Sequence, residues 1–352
     1  MSLNLTSKSI GLLKKLIATK SFSGEENGTA LLISNWLKSE NIAFERSNNN
    51  IWAKNKYFDA AKKTILLNSH HDTVYPNKGY TLDPFKPKIE NDKLFGLGSN
   101  DAGASLVSLL ATFRHFYSFK NLNYNIVFVA SAEEESSGKK GLNSVLNTLP
   151  EIDFAIVGEP TKMQLAIAEK GLIVLDCKSN GTSGHAAHTN GDNAIYNALK
   201  DIDWFQQFNF PKVSETLGKV KMTVSQISAG HQHNVVPASC NFVVDVRVND
   251  IYTNHEILNI IKSNVTSEVT PRSLRFNSSS ISKNHPIVKA GIKFGRKTYG
   301  SPTLSDQAVL NCPSLKLGPG DSLRSHTANE FVYIHEIEQG IELYINILSE
   351  IL

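Results

Sequence analysis

Histidine and carboxylate residues follow several apolar stretches of this 352-residue sequence, at points where strands are expected to end. They are His70 and Asp72 after 64–69, Asp101 after 95–100, Glu133–Glu135 after 126–132, Glu159 after 154–158, and His326 near the C-terminus. Side chains delivered by strand ends converge at one edge of an open α/β sheet, where such folds keep their sites. Because a buried carboxylate is costly unless it is paired or metal-bound, this set predicts a cation site.

The same residues have the composition of a two-metal hydrolytic site. Amide hydrolysis needs an activated water, an acid for the leaving amine and charge compensation at the carbonyl oxygen; two metals joined by a carboxylate supply the first and third. The candidates are the imidazoles of His70 and His326, the ligand carboxylates Asp101, Glu135 and Glu159, and a spare carboxylate, Glu134, that could carry the proton. This mixed ligation suits two zinc ions, with cobalt or manganese as substitutes. Asp72 could hold His70 by its other ring nitrogen.

Alternating apolar and amphipathic segments predict the elements that position these residues. Strands are expected near 51–55, 64–69, 126–131, 154–158 and 314–317, and helices near 6–20, 25–41, 103–120, 139–148, 286–298 and 335–351. Ser23 is a candidate N-cap for the second helix. The alternation favours an α/β fold with a largely parallel sheet between helices.

The pattern changes after Gly171. A strand at 172–179, a helix at 191–208, strands at 218–227 and 238–248, a helix at 252–264 and a strand near 272–277 follow. This is the split βαβ order of a ferredoxin-like α+β domain. We therefore predict a catalytic α/β domain formed by 1–171 and 284–352 and interrupted by a lid and dimerisation domain, 172–283.

Composition narrows the classes of protein. The net charge is only +3 and the chain has no lysine- or arginine-rich block, which excludes nucleic acid as an expected partner. The cysteines, Cys177, Cys240 and Cys312, form no CxxC pair and suit a reducing compartment. Without a leader or an apolar run of roughly 18 residues, a cytoplasmic protein that does not span a membrane is expected.

The motifs resemble those of the co-catalytic zinc aminoacylases and exopeptidases, which include acetylornithine deacetylase, succinyl-diaminopimelate desuccinylase and carboxypeptidase G2. The resemblance covers essentially the whole chain and implies a zinc-exopeptidase-like fold. His70-His-Asp72-Thr-Val74 matches the HxDxV motif, whose histidine binds one metal and whose aspartate orients it. The segment ending in Asp101 matches the one that supplies the bridging aspartate. After that aspartate the family commonly has D-x-K-G, whereas this chain has Asp101-Ala-Gly-Ala104, which implies altered helix packing with the ligands kept.

Three further segments extend the resemblance in the catalytic domain. Ser131-Ala-Glu-Glu134-Glu135 is similar to the paired glutamates, which implies Glu134 as general base and Glu135 as ligand, although the pair Glu133 and Glu134 is the alternative register. Val157-Gly-Glu159 resembles the segment that gives the first metal its carboxylate, and Leu317-Gly-Pro-Gly320 followed by His326 and Glu330 resembles the closing motif, whose histidine binds the second metal.

The inserted domain carries two more matches. Gly181-Thr-Ser-Gly-His185 is similar to the segment whose histidine reaches a neighbouring subunit's site and stabilises the oxyanion, which implies a homodimer through the lid; His188 is the competing histidine. Asn234 and Arg247 resemble the family's substrate-binding asparagine and lid arginine. An arginine fork suits a substrate carboxylate, but Arg247 could instead pair with Asp245.

The resemblance implies a two-zinc amidohydrolase that removes an acyl group from the α-nitrogen of a small-molecule N-acyl amino acid. The short length of this chain and its Ser69–Val74 segment most resemble the acetylornithine deacetylase-like branch. N-acetylornithine is therefore the favoured substrate, and arginine biosynthesis the favoured pathway. N-acetylcitrulline, N-succinylornithine, succinyl-diaminopimelate and dipeptides are alternatives. A catalytically silent relative that binds metal or peptide is the non-enzyme alternative, which a retained Glu134 argues against.

Overall fold

The computed structural model describes residues 2–188 and 192–352 of the chain. These residues pack as two compact units: one comprises Met1–Ile167, Ser280–Tyr299 and Ser305–Leu352, and the other comprises Ala168–Ser279 and Gly300–Leu304. The boundaries expected at 171/172 and 283/284, and the lid function of the insert, stay predictions.

Seven helices and eighteen strands are formed within the described residues. The helices are α1 (Ser2–Ile17), α2 (Asn27–Ser39), α3 (Ala104–Phe116), α4 (Ala194–Gln207), α5 (Asn254–Lys262), α6 (Pro286–Lys293) and α7 (Ile334–Ser349). The strands are β1 (Glu45–Ser47), β2 (Asn50–Lys54), β3 (Thr64–His70), β4 (Lys88–Glu90), β5 (Lys93–Phe95), β6 (Asn125–Ser131), β7 (Phe154–Val157), β8 (Leu165–Glu169), β9 (Gly171–Asn180), β10 (Gly184–His185), β11 (Lys221–Ala229), β12 (Val235–Val236), β13 (Ser239–Val248), β14 (Glu268–Pro271), β15 (Ser279–Ser280), β16 (Thr298–Ser301), β17 (Ser314–Lys316) and β18 (Phe331–Tyr333). None of the described helices is both long and apolar enough to cross a membrane.

A nine-stranded mixed sheet organises the chain, with strand order β1-β2-β6-β3-β7-β17-β8-β15 and β16 also paired to β8. Its central pairs, β6 with β3, β3 with β7 and β7 with β17, are parallel, whereas β1–β2, β2–β6 and β17–β8 are antiparallel. The expected α/β fold with a mostly parallel sheet and helices is confirmed. Because parallel strands point the same way, the carboxyl ends of β6, β3, β7 and β17 meet at one edge.

Both faces of the central strands are buried, which explains their continuous apolar sequence. In β3, Ile65 and Leu67 join a large core with α1, α2, α3 and α7, while Leu66 between them joins a smaller core on the other face. Successive side chains of a strand point to opposite faces, so each strand feeds both cores.

The helix expected at 139–148 is absent, and this prediction is wrong. Two short turns, Leu142–Ser144 and Leu146–Thr148, take its place. Leu142, Val145 and Leu149 are buried in the smaller core, so their helix-like spacing reflects burial of consecutive turns and not one continuous helix.

The second unit has the ferredoxin-like order. Its antiparallel sheet runs β11-β13-β9-β14, and α4 and α5 share an apolar core with β9 and β13. Alternate burial along β9 shows that one face of the sheet packs on the helices. The last strand lies at 268–271, earlier than the expected 272–277, and residue 191 of the expected helix 191–208 lies outside the described residues.

Candidate metal centre

His70 lies at the carboxyl end of β3, opposite Ser131 at the end of β6. Its Nδ1 is 3.0 Å from the backbone oxygen of Asp72 and 3.4 Å from the carboxylate of the same residue. Asp72 thus engages Nδ1, and Nε2 is the ring nitrogen that faces Asp101. The neighbouring His71 has both ring nitrogens engaged, Nδ1 at 2.9 Å from Thr29 Oγ1 and Nε2 at 2.9 Å from the Asn49 backbone oxygen. His71 is therefore a structural neighbour and not a ligand.

Asp101 lies on an irregular helical turn, Ser99–Gly103, between β5 and α3. The buried Glu330 carboxylate holds this turn by accepting hydrogen bonds from the backbone N–H groups of Gly98, Asn100 and Asp101, at 3.0, 2.8 and 2.9 Å. Gly98 has a left-handed backbone (φ +73°), which only glycine adopts readily. At Gly103, where the family commonly has lysine, a Cβ atom would lie 2.4 Å from the Gly98 oxygen. Glycine in place of lysine at position 103 therefore fits a tighter turn against α3.

The glutamate run leaves β6 through a sharp corner. Glu133 has a left-handed backbone (φ +54°), and its carboxylate turns away to accept from Lys140 N at 3.0 Å. The next two amides, Glu134 N and Glu135 N, each donate to one carboxylate oxygen of Asp72 at 3.1 Å. Asp72 thus holds the glutamate loop as well as the imidazole, a second task that spacing alone could not reveal.

Two groups of side chains share Asp101. One is His70, Asp101 and Glu159; the other is Asp101, Glu135 and His326; within each, one ligand atom per residue lies within 4.8 Å of the others. Asp101 Oδ1 is 3.3 Å from His70 Nε2, and its Oδ2 is 3.5 Å from His326 Nε2. A carboxylate that offers one oxygen to each group is suited to bridge two metals.

Glu134 stands beside this cluster without belonging to either group. Its Oε2 is 3.9 Å from His70 Nε2. His326 Nε2, in contrast, lies 3.1 Å from Glu135 Oε2. Glu135 thus belongs to a ligand group, Glu134 lies beside both groups, and Glu133 faces elsewhere. The assignment of Glu135 as ligand and Glu134 as base stays a prediction.

The charges of the cluster fit divalent cations. Burial raises the pKa of Glu159 to about 8 and raises the pKa of Glu134 well above its ordinary value, with further repulsion from neighbouring carboxylates. Burial alone would lower the pKa of His70, but Glu134, Asp101 and Asp72 raise it well above 6.5. The hydrogen bond to Glu135 raises the pKa of His326 to about 9. Several carboxylates therefore lie close together where burial disfavours their negative charge, and two divalent cations would compensate that charge.

Two buried carboxylates near the centre, Asp306 and Glu26, are not among the site residues that the sequence predicts. Asp306 accepts from Ser131 Oγ at 2.5 Å, and, with the Asn68 amide oriented to satisfy its neighbours, from that nitrogen at 3.1 Å. Glu26 accepts from the backbone of the glutamate run. Each follows a short polar segment without hydrophobic periodicity, so the sequence carries no signal beyond the residue type.

Three predicted functional residues, His185, Asn234 and Arg247, belong to the second unit. His185 lies in β10, and its Nδ1 accepts from Ala187 N at 3.1 Å. Asn234 is exposed just before β12, and its backbone oxygen accepts from Ala186 N at 2.9 Å. Arg247 makes a bidentate pair with Asp245 at 2.8 and 3.0 Å, which is the alternative that the sequence left open.

The fold and the cluster at the strand ends agree with one family. The sequence model of Peptidase family M20/M25/M40 matches residues 66–350, and the chain belongs to that family. The expected resemblance is thereby confirmed, and the protein is a metal-dependent hydrolase.

The sequence identity between this chain and individual relatives is low, between 26 and 28%. The chain is 28% identical over 353 residues to [LysW]-lysine/[LysW]-ornithine hydrolase of Sulfurisphaera tokodaii, covering 97% of this chain and 94% of the relative. It is 26% identical over 374 residues to succinyl-diaminopimelate desuccinylase of Buchnera aphidicola (97% and 98% covered). It is 27% identical over 374 residues to acetylornithine deacetylase of Proteus mirabilis (95% and 94% covered).

A solved structure supports the fold. The Bacillus subtilis YXEP protein, a dinuclear metal binding peptidase of the M20 family, superposes with a TM-score of 0.74 at 15% identity, covering 99% of this chain and 98% of that chain. At this identity the similarity concerns the fold alone.

Proposed function

We propose that this protein hydrolyses the amide bond of N-acyl amino acids at a two-zinc centre with Glu134 as general base. The observation that carries the proposal is the arrangement of side chains around Asp101. Its two oxygens face His70 and His326 in two separate ligand groups, while Glu134 stands beside them as a partly buried carboxylate outside both. Metal binding alone does not need such a spare carboxylate.

The residues divide into ligands and a proton carrier. His70 and Glu159 would hold one ion, Glu135 and His326 the other, and Asp101 both; the ions would supply Lewis acidity that eases deprotonation of a water and polarises a carbonyl oxygen. Glu134 takes a proton from the water as its oxygen bonds to the acyl carbon, and gives that proton to the nitrogen as the carbon–nitrogen bond breaks. The products are a carboxylic acid and an amine, which at neutral pH are present as the carboxylate and the ammonium ion. Burial raises the pKa of Glu134 well above its ordinary value, and neighbouring carboxylates raise it further.

The relatives' names support a class of substrate. Lysine, ornithine and diaminopimelate each contain two amino groups, and at least one of these amino acids appears in each of the three names. We therefore place an acylated diamino acid first, and N-acetylornithine, with a role in arginine biosynthesis, is the leading candidate. N-succinylornithine, N-acetylcitrulline, succinyl-diaminopimelate and dipeptides are the competing substrates.

The second unit would complete the site in a homodimer. In this proposal His185 stabilises the oxyanion in the partner's site, and Asn234 and Arg247 bind substrate. Arg247 would have to exchange or share its bond to Asp245 in order to reach a substrate carboxylate.

Turnover by the zinc-loaded full chain tests the proposal. N-acetylornithine, N-succinylornithine, N-acetylcitrulline and succinyl-diaminopimelate are offered in parallel, and release of the free amine is followed. We expect at least one to be hydrolysed, and Glu134→Gln to lower kcat by about 10²- to 10⁴-fold because it removes the proton carrier.

Glu133→Gln is the matched control. Its side chain faces Lys140 N, where a glutamine oxygen can still accept the hydrogen bond, so kcat should stay near the wild-type value. No turnover of any acyl amino acid by the zinc-loaded protein would overturn the proposed function. A Glu133→Gln variant that loses activity while Glu134→Gln keeps it would reassign the base.

A further inference from the structure

A glutamate outside the metal-binding groups, Glu26, is bonded to the loop that carries Glu134. Glu26 is 0% exposed and directly precedes α2. Its Oε1 accepts from Gly24 N at 2.6 Å and from Glu133 N at 3.1 Å, and its Oε2 accepts from the Asn49 side-chain amide at 2.8 Å. A buried carboxylate with three hydrogen-bond donors is fixed in one position, because leaving any donor unpaired there is costly.

The bond from Glu133 N lies at the corner that aims the functional glutamates. Glu133 is in the left-handed conformation, which a non-glycine residue keeps only where its surroundings hold it. Gly138 N donates to the Glu133 oxygen at 2.8 Å, so the corner is held from both sides. A Cβ atom at Gly138 would lie 2.5 Å from Glu133 Cβ, so the loop closes too tightly for any larger residue there.

Three successive amides of this loop are each bound by a buried carboxylate. Glu26 binds the first, from Glu133, and Asp72 binds the next two, from Glu134 and Glu135. The position of the Glu134 side chain therefore depends on both carboxylates, although only Asp72 adjoins a metal-ligand candidate.

The segment before Glu26 is itself bonded to the Asp72 region. Ser23 Oγ donates to Asp72 Oδ2 at 2.6 Å, and Thr73 N donates to the Ser21 oxygen at 2.8 Å. The rings of Phe22 and Tyr75 stack with centroids 4.0 Å apart. The connection between α1 and α2 is thus a rigid support from which Glu26 reaches the glutamate loop.

We propose that Glu26 is a positioning residue for hydrolysis, which fixes the Glu133 corner so that Glu134 faces the metal centre. This inference rests on the proposed function, in which Glu134 is the base. Glu26 acts through the Glu133 amide and does not touch substrate. Its removal should therefore impair the proton-transfer step more than substrate binding or metal content.

Two variants of the zinc-loaded full chain test this role. Glu26→Ala removes the acceptor for all three donors, whereas Glu26→Gln keeps the shape and one oxygen for Gly24 N and Glu133 N and loses only the bond from the Asn49 amide. We expect Glu26→Ala to lower kcat by about 10- to 100-fold, since small misplacements of catalytic groups have effects of this size, with KM within about threefold and two metals still bound. Glu26→Gln should recover most of the lost kcat.

Leu37→Ala is the control for destabilisation alone. Leu37 is fully buried on α2 but makes no hydrogen bond to the glutamate loop, so this variant should lower Tm and leave kcat unchanged at temperatures where it is folded. If Glu26→Ala does not fold, Glu26→Asp replaces it: the charge is kept, but the side chain is one methylene too short for Glu133 N.

Amide hydrogen exchange gives a readout that does not depend on the reaction. Exchange in residues 132–136 should accelerate in Glu26→Ala but not in Leu37→Ala. A wild type that turns over no acyl amino acid would refute the proposed function, while exchange would still decide whether Glu26 holds the loop. The positioning role is overturned by unchanged kcat in Glu26→Ala, by an equal kcat loss in Leu37→Ala, by a loss that parallels metal loss, or by unchanged exchange.

Discussion

At the scale of single residues, two sets of carboxylates in this protein have different roles. Asp101, Glu135 and Glu159 face one another around the candidate metals, whereas Asp72, Glu330 and Glu26 accept hydrogen bonds from backbone amides of the loops that carry functional side chains. Each amide-binding carboxylate fixes a loop and leaves the ligand oxygens free for a cation.

That the first set of carboxylates lies together could be predicted from the sequence, whereas the hydrogen bonds of the second set could not. The ligand roles themselves stay predictions. His70, Asp101 and His326 stand in recognisable motifs, because a ligand and its flanking strand are adjacent in the chain. Glu26 and Glu133 are 107 residues apart, and no local pattern marks their bond. The sequence predicts that Asp72 orients His70. It does not predict the bonds from the glutamate loop to Asp72, because these depend on the left-handed backbone of Glu133, which no local pattern indicates.

Asp306 gives a prediction for the pH dependence of stability. Burial raises its pKa to about 6 from an ordinary 3.8. A raised carboxyl pKa in the folded state stabilises the protein below pH 4, and this contribution is lost as pH rises through about 6. In metal-free protein, the difference in unfolding free energy between wild type and Asp306→Asn should therefore change by roughly 2–3 kcal/mol between pH 4 and pH 7. Wild type should become less stable relative to the variant as the pH rises.

Urea denaturation at pH 4, 5, 6 and 7 measures this difference. Asp203→Asn is the control, because Asp203 is exposed and the substitution removes a solvated charge. A difference between wild type and Asp306→Asn that stays constant across these pH values would contradict the assignment of a raised pKa to Asp306.

At the scale of elements, the parallel strands explain why widely separated residues meet. His70 ends β3, the glutamates follow β6 and Glu159 follows β7, and these three strands are parallel neighbours. Their burial on both faces produces apolar runs that are easy to find in sequence, so the strand-end prediction succeeded.

Elements without a continuous apolar face were predicted less well. The 139–148 segment buries residues at helix-like spacing but forms short turns. Ser23 was expected to cap α2, yet the helix begins at Asn27 and Ser23 Oγ instead donates to Asp72. At Ser23, a hydrogen bond to a distant part of the chain thus takes the place of the local cap.

At the scale of the whole molecule, the sequence identified the family but not the assembly. The proposed homodimer depends on His185 acting in the partner's site, and paired variants test this directly. A purified heterodimer of Glu134→Gln and His185→Ala chains has one complete site if His185 crosses, so it should recover about half of wild-type activity although both parent homodimers are impaired.

The mirror-image heterodimer is the control. When wild type is paired with a chain that carries both substitutions, a crossing His185 leaves no complete site, so this heterodimer should be as impaired as the parent homodimers. The opposite pattern, with activity in the mirror-image heterodimer only, would place His185 in the site of its own chain. A protein that stays monomeric at assay concentrations would reject the dimer itself.

The central claim, a two-metal centre bridged by Asp101, is tested most directly by counting divalent metal in zinc-reconstituted, dialysed protein. We predict two ions per chain in wild type and in Glu134→Gln, which alters the base but no ligand. Asp101→Asn should bind at most one, because it replaces an oxygen that faces one of the two groups with an amide nitrogen that cannot bind metal. A wild type without bound metal, or an Asp101→Asn variant that keeps both ions, would contradict the bridged centre.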